Sequence, residues 1–203
     1  MIVAGTKPIL YISTQILHFL AKALQYFLRI RSAPALYFLT LGVTPLLGSL
    51  ITEPAAMTLA AFLLRDLVYR HKCSTPLLFG TLGVLFVNIS IGGTLTNFAA
   101  PPVLMVASTW DWSTAFMFAN FGLEATIAIF INATIATLLF QKQLIEPTKK
   151  SDHVRIPLTI TAIHLLFLLG IVGFAHDPVI FMWLLLFFIG YTTVNFNLSG
   201  SSF

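Results

Sequence analysis

Two acidic residues stand inside apolar sequence: Glu53 in "GSLITEPAAM" and Glu124 in "ANFGLEATIAIFINATIA". Taking a carboxylate into hydrocarbon costs at least ~2.5–3.5 kcal/mol on the insertion scale. Each therefore needs a partner, a proton, a bound cation or a wet cavity, and the chemistry open to it is reversible cation or proton binding. Glu53 directly precedes Pro54, so a second role is open to it: with Thr52, it can cap the helix that starts at the proline. Glu124 shares a helix face with Asn120 and Asn132, four residues before it and eight after. That stripe is expected to face protein, where Glu124 either relays protons or holds a structural hydrogen bond. His18, His164 and His176 lie in or near apolar runs and are expected to bond to neighbours rather than react.

The elements that must position these groups are unusual helices. "VNISIGGTLTNFAAPPVLMV", Val87 to Val106, gathers a Gly pair, two Asn, two Thr and a Pro pair inside one apolar block. Gly92 and Gly93 permit backbone that Ala resists, and Pro101 and Pro102 suit the first turn of a new helix. Residues 76–108 thus read as a span interrupted near its middle. The block 33–64 is too long for one ordinary span and is broken about halfway by Gly48, Ser49, Thr52, Glu53 and Pro54. It reads as a re-entrant helical hairpin, because backbone freed at depth is tolerated only against protein or a wet cavity. Two broken elements close in sequence point to a midplane binding site of a secondary transporter. Further spans are expected at 113–140, 156–175 and 178–194, the last two parted at "AHDP". Residues 9–30 form an amphipathic helix that lies on the membrane or spans it.

Composition sets the class. The 203 residues are 58% hydrophobic and 9% charged, with a mean hydropathy of +0.93. That balance leaves too little polar surface for a soluble globule, and apolar runs of about 20 residues fit the bilayer as helices. The expected fold is a single-domain, all-α, multi-pass integral membrane protein. The net charge of +4 does not indicate nucleic acid, because the basic residues sit in loops between spans and set orientation. Arg29, Arg31, Arg65, Arg70, Lys72, Lys142, Lys149, Lys150 and Arg155 mark the cytoplasmic side, while Asp111 and His176 fall outside. The single cysteine, Cys73, excludes an internal disulfide. No metalloprotease, nucleophile-elbow or nucleotide-loop motif is present, so neither an enzyme nor a cofactor is expected.

"GSLITEPAAMTLAAFLLRD" followed by "TLGVLFVNISIGGTLTNFAAPPVLMVAS" resembles the bacterial sodium/proton antiporters. More distantly it resembles the divalent-anion/sodium symporters and arsenite carriers of the same ion transporter superfamily. The likeness runs from Gly42 to Phe140. It implies a Na+ site shared by the hairpin tip, at Ser49, Thr52 and Glu53, and the unwound loop, at Asn88, Ser90, Gly92, Gly93, Thr94 and Thr96. Na+ and H+ are then the transported ions, and Na+/H+ antiport across the inner (plasma) membrane is the implied activity. Symporters of this group tend to have neutral Ser-Asn-Thr at the tip, whereas Glu53 stands here. A fixed carboxylate repels an anionic substrate, so cation exchange is favoured over sodium-coupled transport of a small anion. The family pattern is an inverted repeat of about twice this length, and no second broken pair follows residue 140. The chain is expected to be one repeat, incomplete alone and pairing with a second half or another copy. A non-transporting membrane fragment or partner subunit is the third alternative.

Overall fold

A computed structural model describes residues 7–69, 73–145, 158–174 and 178–194. All the elements among them are helices: α1 Lys7–Leu28, α2 Ser32–Ile51, α3 Glu53–Leu64, α4 Thr75–Gly93, α5 Pro101–Ala107, α6 Thr114–Phe140, α7 Leu158–Gly173 and α8 Pro178–Val194. A wider π-helical turn, Arg65–Tyr69, continues α3. α2, α4 and α6 are long and apolar enough to cross a membrane, and the chain is an all-α membrane protein. The basic segment 149–155, the break at His176 and the tail 195–203 lie outside the described residues.

Local chemistry sets the helix starts. Ser74 and Ser113 cap α4 and α6 by accepting from the Leu77 and Phe116 amides at 3.3 and 3.1 Å. Pro54 opens α3, and Pro101 and Pro102 open α5, where a missing N–H costs nothing. The break in the block 33–64 falls at Thr52 alone, with Gly48 and Ser49 remaining helical and buried. A Cβ on Gly48 would lie 3.0 Å from the Ala56 Cβ, so that glycine lets α3 fold back closely along α2 rather than breaking the helix. The two arms are consequently unequal, 20 and 12 residues long.

α2 is the hub, packing against α1, α3, α4 and α6. Small buried residues such as Ala33, Ala56 and Ala60 let the helices approach without bulky side chains between them. α2 and α4 run parallel in a fixed register: Leu41 meets Asn88, Pro45 meets Gly92 and Ser49 meets Thr96, the hydrogen-bonded pairs separated by 47 residues. α6 runs antiparallel to both, since Asn132 meets Asn88 and Phe140 meets Gly80. A hydrogen bond from Ser74 to Gln143 joins the start of α4 to the turn after α6. This register brings the break at Thr52 beside the unwound segment 94–100. Large apolar side chains such as Phe19, Leu139 and Phe187 point outward, which hydrocarbon tolerates and water would not.

Candidate functional site

Glu53 sits where the two helix breaks meet. Its backbone N–H donates to the Ala99 carbonyl at 3.1 Å, tying the first turn of α3 to the unwound segment. Its carboxylate does not cap α3: Oε1 accepts from the Ser90 hydroxyl at 2.8 Å. Thr52 is the N-cap and its side chain makes no cap bond. No Lys, Arg or His among the described residues pairs with this carboxylate. Oε2 lies 3.6 Å from the place a Cβ on Gly93 would occupy, and that Cβ would also stand 3.0 Å from the Ala100 Cβ. Glycine at 93 therefore serves the close approach of Ala100, with the acid at ordinary contact distance beside it.

Thr52 itself is strained, with φ 84° and ψ 149°, a region that β-branched residues avoid and glycine tolerates. Backbone held in this state needs surroundings that fix it on both sides. Ser49 supplies one side: its carbonyl accepts from Thr96 Oγ1 at 2.8 Å, and its own hydroxyl donates to the Leu46 carbonyl at 2.6 Å. Thr94 Oγ1 likewise donates to the Ile91 carbonyl at 2.7 Å. Each of these hydroxyls has given its proton to a backbone carbonyl and keeps lone pairs free. The hydroxyl that meets the Glu53 carboxylate itself is that of Ser90, and hydroxyl and carboxylate oxygens are the donor type that hard cations accept. Among the described residues there is no cluster of His, Cys, Asp and Glu that would suit a transition metal.

Gly92 works differently. A Cβ there would lie 2.1 Å from the Pro45 carbonyl oxygen, so glycine is what allows α4 to press its backbone onto α2. Pro45 has no N–H, and the Leu41 carbonyl one turn earlier loses its helical donor. The Asn88 amide fills that vacancy at 2.9 Å, donates also to the Ile129 carbonyl at 3.2 Å, and accepts from Asn132 Nδ2 at 3.0 Å. Asn88 is fully buried and its side chain is committed to joining α2, α4 and α6. Asn132 is read from sequence only as part of the Glu124 stripe, and Pro45 is not singled out there at all; its signal is a proline inside an otherwise unbroken helix. Thr44 adds a fully buried hydroxyl without a hydrogen-bond partner among the described residues.

Glu124 stands apart from the corner where the two helix breaks meet. It is exposed on α6, and no hydrogen bond joins it to Glu53, whose partner is Ser90. The stripe expected to face protein is split. Asn132 turns inward to Asn88, while Asn120 is exposed and donates to the Phe116 carbonyl of its own helix at 2.8 Å. The buried face of α6 carries Gly122, Ala125, Ile129, Ala133 and Ala136 instead. His164 lies between α7 and α8, its Nδ1 2.8 Å from the Ile160 carbonyl and its ring edge-on to Phe188.

A family model described as "Putative Na+/H+ antiporter" matches residues 1–198. No curated protein and no solved structure matches the chain significantly.

Proposed function

The chain belongs to this Na+/H+ antiporter family, and from that premise we propose that it exchanges Na+ for H+ with Glu53 as the shared binding group. The observation that carries the reading is a carboxylate lodged between two helix breaks with a hydroxyl, not a basic side chain, as its partner. A charge that the protein leaves uncompensated favours a mobile cation or a proton. Na+ is held by deprotonated Glu53 with oxygens drawn from Ser49, Thr52, Ser90, Thr94 and Thr96 and from backbone around Gly92 and Gly93. Protonation of Glu53 removes the charge and releases Na+. The two ions thus compete for one site, and exchange follows when the site faces each side in turn.

In this reading α2 and α3 form the re-entrant element and α4 with α5 the discontinuous span of one repeat. Glu53 is only half-buried and Ser90 is exposed, so the corner is open on one flank. A second set of elements, from more sequence or another chain, covers that flank and completes alternating access. The membrane is the bacterial inner membrane, crossed several times. Sodium-coupled transport of a small anion is the weaker reading, because Glu53 occupies the first turn of α3, where an anion would bind.

The test uses everted vesicles that lack their own antiporters, with an imposed pH gradient followed by a fluorescent dye. Added Na+ collapses the gradient in the active transporter, and Glu53→Gln abolishes that response. Full activity in Glu53→Gln overturns the role given to this residue. A chain silent alone but active beside a second chain, and again silent with Glu53→Gln, separates incompleteness from a wrong assignment of the ion site.

A further inference from the structure

The outward face of α6 is not uniformly apolar. Asn120, Glu124, Ile127, Ile131, Thr134 and Leu138 are all exposed and follow one another at spacings of four, three, four, three and four residues. These spacings put the six residues in one seam along a single side of the helix, the kind of surface against which a second helix can pack. Glu124 lies three residues, about 4.5 Å of helix rise, from the midpoint of the 27-residue helix. Among the described residues nothing hydrogen-bonds or pairs with its carboxylate. The opposite face of the helix is the one already packed on α2 and α4.

Hydrocarbon cannot satisfy a carboxylate so near the middle of a span. We infer that this seam is a docking surface for a further transmembrane helix that sets a hydrogen-bond donor side chain opposite Glu124. The partner is recognised by charge complementarity at one position and apolar packing along the rest. A second copy of this chain suits the seam less well. In a symmetric parallel pair each residue meets its own counterpart, so Glu124 would face Glu124. This surface goes beyond the exchange reading and does not depend on Glu53.

The full chain in lipid vesicles, labelled for resonance energy transfer, is titrated with two synthetic leucine-rich transmembrane peptides. One carries a single central Gln; the other is wholly apolar. The Gln peptide binds about tenfold more tightly, the scale of one interhelical hydrogen bond in a membrane. Glu124→Leu removes that preference, whereas Phe118→Ala, which alters an exposed α6 residue off the seam, keeps it. Equal binding of the two peptides, or a preference that survives Glu124→Leu, overturns the inference. A second variant, Cys73→Ser with Ile127→Cys, reports self-association. Disulfide-linked dimers in the absence of peptide overturn the choice of a donor-bearing partner in favour of a second copy, and their absence supports it.

Discussion

At the scale of single residues, the corner around Glu53 depends on atoms that are missing as much as on those present. Gly92 is required by a backbone contact: with a Cβ 2.1 Å from the Pro45 oxygen, α2 and α4 must part. Overpacking of this kind costs about 1–3 kcal/mol, and because backbone rather than a flexible side chain is in the way, Gly92→Ala belongs at the upper end. Gly83 is the control, since a Cβ there meets nothing within 4 Å. Gly83→Ala leaves stability unchanged or raises it by up to about 1 kcal/mol, the helix-propensity difference. Unfolding in mixed micelles distinguishes the two. The same loss of packing separates Ser49 from Thr96, so Gly92→Ala also weakens Na+-dependent exchange, while Gly83→Ala does not.

At the scale of elements, Asn88 and Pro45 act as a pair across two helices. The proline frees a carbonyl in α2 and the asparagine of α4 takes it. Asn88→Leu leaves the Leu41 carbonyl buried without a donor and strips Asn132 of its acceptor, at a cost of about 3 kcal/mol. Pro45→Ala restores an N–H at position 45, which can close the ordinary helical bond to Leu41. In the Pro45→Ala background the same Asn88→Leu change is therefore expected to cost about 1–2 kcal/mol less. A double-mutant cycle of unfolding free energies measures this coupling, and a cycle that sums to zero shows that Asn88 does not serve the proline-freed carbonyl. The position belongs to the scaffold that holds the register of α2 and α4. Its substitution changes exchange by disturbing that register.

At the scale of the whole molecule, orientation follows from charge and from the way the helices return. α4 and α5 carry the chain away from Cys73, and α6 brings it back, as the hydrogen bond between Ser74 and Gln143 shows. Arg29, Arg31, Arg65 and Lys142 gather at that end in sequence, whereas Asp111 stands at the other without a basic neighbour. Cys73 is partly exposed and free, and it is the natural reporter. A membrane-impermeant thiol reagent labels it in everted vesicles and not in right-side-out ones. Asp111→Cys in a Cys73→Ser background shows the reverse. Labelling of both positions from one side rules out the crossing of α4, α5 and α6 as drawn.

Composition and apolar run length by themselves determined the class, because so little charge leaves no soluble alternative. The sequence also told where helices must stop: Pro54 and the Pro101–Pro102 pair cannot continue a preceding helix, and Glu53 beside the first of them marked the chemistry. What it could not reveal was register. The constant offset that sets Leu41 against Asn88 and Ser49 against Thr96 comes with the close approach of Gly92 to Pro45, and the turn at Thr52 then returns Glu53 to Ser90; no residue type announces which glycine will meet which carbonyl. Asn88 shows the same limit, being equally suited by type to ligate a cation or to satisfy a carbonyl until α2 places Pro45 opposite. Helical spacing likewise allowed Glu124 to face inward. Only packing decided that the small residues Gly122, Ala125 and Ala133 take the buried face, leaving the carboxylate outside. Side-chain type is local information, whereas the choice of face depends on how closely three backbones can approach.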